Sequence, residues 1–221
     1  MLKEFLHESN FTWEVILVDD GSLDSTSLAM DRIFSKNESQ LIQLNKNRGK
    51  GHALRKGTLA VKSEIYLFTD ADFSTPMSEF HKLSSYIVKG YDIAIGSRAL
   101  ADSKIMIPAK WYRRFMGRVF RLLVQTTCLG DLKDTQCGFK CFRRKALLPI
   151  LLIMKVDRFC FDVEFLFIAK KWGLKVKEVP MSWDDSSTTT VNPLLSPLEI
   201  LADLIKVHVG AFLGIYDPPT Q

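Results

Sequence analysis

The sequence predicts an α/β domain built on a mostly parallel β-sheet flanked by helices. Apolar runs typical of buried strands, such as residues 13–18 and 65–68, alternate with segments of helical length. Strands separated by helices of about ten to fifteen residues favour a parallel sheet with right-handed crossovers. Ligands of such sheets bind outside the carboxyl ends of the strands. Two of these runs end in pairs of acidic residues, which places a candidate site at that edge.

In the first half of the chain the predicted elements alternate regularly. A proline at position 76 is well placed in the first turn of a helix, and glycines at 49 and 51 precede another. The predicted strands are 13–18, 40–44, 65–68 and 92–96, and the predicted helices are 1–9, 25–34, 51–61 and 76–89.

The second half is less regular, and it contains no repeat and no low-complexity linker. One domain over residues 1–221 is therefore the simplest organisation. Here the predicted helices are 110–128, 161–172 and 197–209, the strands are 138–143 and 175–180, and a polar loop covers 186–192.

Composition narrows the class of protein. A chain of 221 residues with 47% apolar content can bury one substantial core. The net charge of +5 fits an anionic partner, but it is too mild, without any RNP-like, zinc-finger or basic-helix pattern, to indicate nucleic acid. Four cysteines without paired metal-type spacing predict reduced thiols. Neither a signal peptide nor an apolar run of about 20 residues is visible, so we expect a soluble or peripheral protein.

The strand at 65–68 ends in two carboxylates, Asp70 and Asp72, separated by Ala71. Alternation in an extended chain points both carboxylates the same way. Oxygen ligands in this arrangement suit a hard divalent cation such as Mg²⁺ or Mn²⁺, which can in turn hold a diphosphate. An Asx-type turn that caps the next helix is the alternative explanation.

Two other segments are candidates for contact with a phosphorylated ligand. Asp19 and Asp20 end the strand at 13–18, where a plain strand-to-helix turn is the alternative. Arg48, Gly49 and Lys50 precede a helix, so backbone N–H groups and two cations could meet phosphate. Solvated charges at the start of a helix are the alternative there.

Five short motifs follow one another along the chain. They are Val-Asp-Asp-Gly-Ser at 18–22, Asn-Arg-Gly-Lys-Gly at 47–51, Asp-Ala-Asp at 70–72, Gly-Ser-Arg at 96–98 and Asp-Thr-Gln-Cys-Gly-Phe-Lys at 134–140. This order resembles that of family 2 GT-A glycosyltransferases. Over about residues 13–183 the chain resembles the polyprenyl-phosphate glycosyltransferases among them, and most closely the dolichyl-phosphate β-glucosyltransferase branch, which residues 134–140 and 161–164 indicate.

The resemblance implies a GT-A, Rossmann-like fold and a role in protein glycosylation. It implies inverting transfer of glucose or a related hexose from a UDP-sugar to a polyprenyl phosphate, dolichyl or undecaprenyl, at the cytoplasmic face of a membrane. Asp72, supported by Asp70, would hold the metal, and Asp19 or Asp20 would recognise uracil. Transfer of mannose or another hexose to the same lipid is the alternative.

For the acceptor, the resemblance assigns contacts with the lipid phosphate to Arg98 and Arg113. A phosphate nucleophile is already anionic at neutral pH, so it needs no strong general base. Asp134 and Gln136 are then expected to position the donor sugar or the acceptor. A structural role in the turn is the alternative for both residues.

The chain also departs from the family pattern. Family members begin with a strand that forms part of the nucleotide floor, whereas this sequence begins in what would be the following helix, at residues 1–9. We therefore expect a domain truncated at its N-terminus relative to the family. An inactive relative that serves as a binding or scaffold module is the alternative this allows.

Two amphipathic segments offer a route to a membrane surface. Residues 110–121 and the C-terminal segment 197–212 each combine an apolar stripe with cations. Such helices can lie in the interface of a bilayer, which predicts peripheral attachment. The alternative is that both stripes pack on the sheet.

Overall fold

A computed structural model describes residues 2–9, 11–33, 39–107, 117–118, 120–124, 129–158, 160–184 and 196–218. The helices are α1 (Leu2–Glu8), α2 (Thr26–Ile33), α3 (Lys50–Ala60), α4 (Phe80–Val88), α5 (Arg144–Ile153), α6 (Phe161–Lys171) and α7 (Ser196–Phe212). The strands are β1 (Val15–Asp19), β2 (Ser39–Gln43), β3 (Ile65–Phe68), β4 (Ile93–Ser97), β5 (Lys104–Ile107), β6 (Lys140–Arg143), β7 (Val176–Pro180) and β8 (Ser182–Asp184).

The strands form three sheets among the described residues. Four strands make the largest sheet, in the order β3-β6-β4-β7, and two parallel pairs, β1-β2 and β5-β8, stand beside it. Within the large sheet β4 and β7 are parallel, whereas β6 is antiparallel to both of its neighbours. The predicted α/β class with mostly parallel pairing is confirmed, and the antiparallel strand was not predicted.

The orientation of β6 has a clear cause. Arg98 directly follows β4, and it forms an ion pair with Asp134, which lies shortly before β6. The chain therefore returns to the sheet at the same edge from which it left. A strand that starts from that edge must run antiparallel to β4.

The core lies on both faces of the large sheet. Every residue of β4 is buried, as expected for a strand with neighbours on both sides. Phe80, Leu83 and Ile87 of α4 recur at helical spacing and pack against one face. Helix α6 is buried along most of its length and packs against the other face together with α5.

Some elements differ from the prediction. The helix expected at 76–89 begins with a 3₁₀ turn, Met77–Glu79, before α4. Helix α5 was not predicted, and it contains Pro149. Strands β5 and β8 were also missed because such short segments show no periodicity and exist through pairing distant in sequence. The loop at 186–192 and most of the helix at 110–128 lie outside the described residues.

A cavity of about 1580 Å³ is lined by both β1 and β3. The apolar residues of these two strands are only half-buried, although their sequences are typical of buried strands. In the described part of the chain the backbone of β1 pairs only with β2, and the backbone of β3 pairs only with β6. The cavity is thus bordered by two unpaired strand edges.

The carboxyl ends of β1 and β3 lie close together. Asp20, just after β1, accepts a hydrogen bond from the backbone of Gly49, and the next residue, Lys50, contacts Asp70, just after β3. The two strands therefore approach the same edge side by side. We propose that an extended segment placed in this cavity would pair with both edges.

We predict that adding an apolar strand ahead of α1 raises the melting temperature of the protein. Pairing with two open edges would add backbone hydrogen bonds and bury β1 and β3. A gain of about 2 kcal/mol corresponds to about 4–8 °C for a chain of this size. Calorimetry and hydrogen exchange of β1 and β3 provide the measurement.

The matched control is an extension of the same length in which proline replaces alternate residues, because proline cannot donate to a strand ladder. If both extended proteins melt at the temperature of the unextended chain, no strand pairs in the cavity.

Candidate active site

The Asp70–Asp72 segment forms a tight turn directly after β3. The backbone N–H of Phe73 donates to the carbonyl of Asp70 across 3.1 Å. Phe73 has φ 49°, a left-handed conformation that is unfavourable for an aromatic residue, and its side chain packs against the core beside α4. The packing of Phe73 therefore holds the turn in a strained shape.

The two carboxylates of this turn have different surroundings. Asp72 is exposed, and its Oδ1 accepts a hydrogen bond of 3.0 Å from the backbone of Ser74. The Asx-type contact is therefore present, and it uses one oxygen. Asp70 forms an ion pair with Lys50 at the start of α3 and is 37% exposed.

Gly138 brings the 134–140 motif against Asp70. A Cβ atom at position 138 would lie 1.8 Å from Oδ2 of Asp70, so any residue other than glycine would displace the Asp70 carboxylate. The pairing of Phe68 with Lys140 explains the contact, since two residues further along β3 and two residues back along β6 are Asp70 and Gly138. Two motifs 68 residues apart in sequence are thereby joined through sheet register.

Asp70 and Asp72 are the candidate ligands for a divalent cation that also binds phosphate. Within the described ranges, no three His, Cys, Asp or Glu side chains converge as a complete metal site. Mg²⁺ commonly takes only one or two carboxylates and completes its shell with water and substrate phosphates. Asp70 lines the cavity and Asp72 is exposed in the same turn, so the two carboxylates could supply such a partial set of ligands.

The sequence did not distinguish Asp19 from Asp20, but their carboxylates accept hydrogen bonds from different partners. Both oxygens of Asp20 accept backbone N–H groups, from Arg48 at 3.0 Å and from Gly49 at 2.7 Å. Asp19 is buried, and its Oδ1 accepts the N–H of Ser22 at 2.9 Å. Its Oδ2 is buried without a hydrogen-bond partner in the described structure. A buried acceptor of this kind is unfavourable until a donor reaches it.

The 48–50 loop is held from two sides. Gly49 adopts φ 111° at the start of α3, and a Cβ atom there would lie 2.6 Å from the carbonyl oxygen of Asp157. The side chain of Asp157 pairs with Arg48 at 3.0 Å and also with Arg55. The backbone N–H groups of 48 and 49 donate to Asp20 in this structure, so contact of this loop with phosphate stays a prediction. The side chains of Arg48 and Lys50 remain the groups suited to phosphate.

Arg98 and Asp134 form a bidentate ion pair. Nε and Nη2 of Arg98 donate to the two Asp134 oxygens at 2.7 and 2.9 Å, and the backbone of Arg98 adds a third bond of 2.9 Å. The guanidinium also lies 5.4 Å from the ring centre of Trp183. The side chain of Asp134 is 5% exposed and that of Arg98 is 32% exposed, so the cation faces outward and the carboxylate faces inward.

This pairing fixes the charges of both groups. Burial by itself raises the pKa of Asp134, but the guanidinium of Arg98 and its hydrogen bonds outweigh burial and hold that pKa at about 2. Burial lowers the pKa of Arg98, whereas Asp134 and, more weakly, Asp70 raise it above its usual value. Arg98 therefore stays positively charged, and the carboxylates of Asp134 and Asp70 both favour its charged form.

The 134–136 turn is itself supported. The backbone N–H groups of Lys133 and Asp134 donate to Glu178 at 3.0 and 2.8 Å, and the N–H of Gln136 donates to Asp134 at 3.2 Å. Asp134 therefore holds Arg98 and its own turn, and positioning of the donor sugar or the acceptor by Asp134 and Gln136 stays a prediction. Arg113 lies outside the described residues.

Three carboxylates that organise the site were not predicted from the sequence. Asp157 and Glu178 belong to no motif, and only long-range folding brings them to their partners. Asp162 lies in the 161–164 segment, to which the sequence analysis gave no role in the site, and it pairs with Lys140 in the interior. The available signal was Lys140 itself, a cation between the apolar residues Phe139 and Cys141.

Known proteins support a family assignment. Residues 1–150 match the family described as Glycosyl transferase family 2. The chain is 32% identical over 226 residues to a dolichyl-phosphate beta-glucosyltransferase of Dictyostelium discoideum, covering 96% of this chain and 69% of that protein. It is 34% identical to the Homo sapiens protein of the same name, covering 93% and 66%. The chain thus spans about two thirds of the length of these relatives.

Solved structures agree on the fold. Mannosyl-3-phosphoglycerate synthase from Rubrobacter xylanophilus superposes with a TM-score of 0.69 at 14% identity, covering 99% of this chain and 70% of that one. Glucosyl-3-phosphoglycerate synthase from Mycobacterium tuberculosis, in complex with Mn²⁺, UDP-glucose and phosphoglyceric acid, gives 0.63 at 15% identity, covering 93% and 70%. The GT-A fold expected from the motifs is confirmed, and the chain belongs to glycosyl transferase family 2, within which it is similar to dolichyl-phosphate beta-glucosyltransferases.

Proposed function

We propose that the protein transfers glucose from a UDP-sugar to a polyprenyl phosphate, with inversion at the sugar. The observation that carries this proposal is the contact of Asp70 with Lys50 on one side and with Gly138 on the other, in the motif whose Asp134 holds Arg98. Asp70 and Lys50 line the cavity, and Arg98 adds an outward-facing cation beside this motif. The names of the similar relatives supply the acceptor class, dolichyl phosphate, and the sugar, glucose.

On the donor side, Asp70 and Asp72 are the residues that would hold Mg²⁺ or Mn²⁺. Such a cation neutralises the charge that develops on the leaving diphosphate. Lys50 and Arg48 would add cationic contacts beside it. The unpartnered Oδ2 of Asp19 would accept a ligand N–H, as on uracil. A structural neighbour that binds Mn²⁺ and UDP-glucose on the same fold supports this arrangement.

On the acceptor side, Arg98 would orient the lipid phosphate. Nε and Nη2 of Arg98 are bound to Asp134, which keeps the guanidinium charged, so its remaining N–H groups would donate to the phosphate. The phosphate monoester is itself the anionic nucleophile, so no side chain has to remove a strong proton. Gln136, beside Asp134, is proposed to position the sugar or the acceptor, and Arg113 is proposed as a second phosphate contact.

Attachment to the cytoplasmic face of a membrane is also proposed. No helix in the described part of the chain is long and apolar enough to span a bilayer. Helix α7 instead buries Leu204 and Val207 while leaving an apolar stripe exposed along its other side. The exposed residues are Leu201, Ile205, Val209 and Phe212. Such a stripe suits the interfacial region of a bilayer, where the acceptor phosphate lies.

A second candidate is a binding module that holds a nucleotide or lipid without transferring sugar. The cavity beside β1 and β3 favours it, because a sheet with two open edges has less support for the donor site. Transfer of mannose or another hexose to the same lipid is the alternative within the enzyme class. The turnover assay with UDP-glucose or GDP-mannose, described next, distinguishes the binding module and the mannose transferase from a glucose transferase.

We predict that Asp72→Asn reduces transfer of glucose from UDP-glucose to polyprenyl phosphate by at least about 100-fold, because the metal loses a charged ligand. The fold should be retained, since Asp72 is exposed. Asp31→Asn, at an exposed acid on α2, is the control and should leave activity unchanged. Turnover is measured with Mn²⁺ and either UDP-glucose or GDP-mannose. Full activity in Asp72→Asn contradicts the metal role, and a wild-type preference for GDP-mannose contradicts glucose.

We predict that Arg98→Ala raises the KM for lipid phosphate at least about tenfold while changing the KM for UDP-glucose much less. A charge-assisted hydrogen bond contributes about 1.5–3 kcal/mol, which corresponds to this effect. Asp134→Asn is the matched control, because it breaks the same ion pair but keeps the cation. Steady-state kinetics with both substrates, beside thermal melts, separate recognition from folding. An equal rise in the KM for UDP-glucose would move Arg98 to the donor site.

We predict that the protein sediments with anionic liposomes at low salt and less at high salt. Ile205→Glu should reduce this binding at least about tenfold, because burial of one large aliphatic side chain contributes about 1.5–3 kcal/mol. Leu152→Glu is the control, at an exposed leucine of α5. Wild-type protein that stays in the supernatant at low salt would exclude this mode of attachment.

A further inference from the structure

A buried ion pair lies behind the candidate site. Nζ of Lys140 is 2.6 Å from Oδ1 of Asp162, and the two side chains are 2% and 5% exposed. Neither group can reach a ligand in the cavity without unpacking the interior. Their role therefore has to be exerted through neighbouring residues.

The position of Lys140 in the sheet shows which neighbours these are. Lys140 is the first residue of β6, and it pairs with Phe68 of β3 on one side and Ile95 of β4 on the other. Side chains opposite one another in a sheet share a face, so Lys140 and Phe68 both point toward α6. Asp162 lies in the first turn of α6, and Phe161 beside it packs on Phe68 at 6.1 Å between ring centres.

Lys140 also holds the backbone next to Asp70. Its Nζ donates a second hydrogen bond, 2.5 Å long, to the carbonyl oxygen of Cys137. The following residue is Gly138, whose Cα directly supports the Asp70 carboxylate. One cation thus ties the 137–138 backbone to the start of α6, and that backbone is the surface on which Asp70 rests.

Stability alone does not account for this arrangement. The desolvation of two buried charges largely cancels their attraction, and apolar replacements of buried ion pairs are often neutral or stabilising. Apolar replacements would, however, leave the Cys137 carbonyl without its donor. They would therefore loosen the one segment that contacts both Asp70 and the Asp134–Gln136 turn.

We propose that Lys140 and Asp162 are positioning residues for the donor site, which set the place of Asp70 by fixing the 137–138 backbone. This inference rests on the proposed function for its metal-dependent consequences. Residues that orient metal ligands from behind typically contribute about 10–100-fold to metal affinity or activity. The pair is thus assigned to the metal-dependent part of nucleotide binding, without contact to the ligand.

The test compares the double variant Lys140→Met/Asp162→Leu with the wild type. Removing both charges avoids the uncompensated buried carboxylate that Lys140→Met alone would create. Calorimetry measures UDP affinity with and without Mn²⁺, melting curves report folding, and hydrogen exchange reports the 134–139 segment. We expect a cooperative melt, metal-free UDP affinity within about threefold of the wild type, and a loss of about 10–100-fold in the gain that Mn²⁺ provides.

Arg143→Met is the matched control on the same strand. Arg143 likewise donates to backbone carbonyls, those of Tyr91 and Ile87, but at the end of β6 away from the site. It should leave both the Mn²⁺-dependent gain and the exchange of 134–139 unchanged. An undiminished Mn²⁺ gain in the double variant would overturn the inference.

Failure of the proposed function gives a different result. A wild-type protein whose UDP affinity does not respond to Mn²⁺ would remove the metal from the donor site. The positioning inference then depends on hydrogen exchange alone. Faster exchange of 134–139 in the double variant, and not in Arg143→Met, would support it, and equal exchange in both variants would overturn it.

Discussion

The Arg98–Asp134 ion pair is the interaction on which the organisation of the site depends. It joins the residue after β4 to the turn before β6, so the chain re-enters the large sheet from the edge that it left. Strand β6 consequently runs antiparallel between β3 and β4 and places Gly138 beneath Asp70. The same pair leaves a permanent cation at the surface. This contact thereby joins the edge of the sheet where the chain returns to β6, the motif that reaches Asp70, and the outward-facing cation of Arg98.

Charges at this edge of the sheet are arranged in partnered pairs at different depths. The Lys50–Asp70 pair is partly exposed and lines the cavity. In the Arg98–Asp134 pair only the arginine is partly exposed, and in the Lys140–Asp162 pair both side chains are buried. Exposed members can exchange their partners for a ligand, whereas buried members would lose far more than they gain. Depth therefore separates groups suited to bind substrate from groups suited to hold the site in shape. In the neighbouring loop Asp20 holds the backbone and Asp157 holds the side chain of Arg48, while the side chain of Lys50 faces Asp70.

The cavity lined by β1 and β3 links the fold to the function. Asp19 and Asp20 end one of its walls and Asp70 follows the other, so the distance between the two acidic strand ends depends on what fills the space. Both walls are apolar strands that are only half-buried, with backbone edges open on the cavity side. A hydrocarbon would satisfy the apolar side chains alone. An extended peptide would satisfy the backbone as well, which is why a strand suits the space better.

From the sequence alone, the α/β class, most of the helices and strands, and the motifs at the carboxyl ends of β1 and β3 could be predicted. These features are local, since hydrophobic periodicity and strand-end carboxylates are visible within a few residues. The antiparallel β6, the division of labour between Asp19 and Asp20, and the support of the site by Asp157, Asp162 and Glu178 could not. Each of these depends on which distant residue becomes a neighbour. Sheet register and burial decide that only when the whole chain is folded, because identical carboxylates differ in function solely through the partners that packing brings to them.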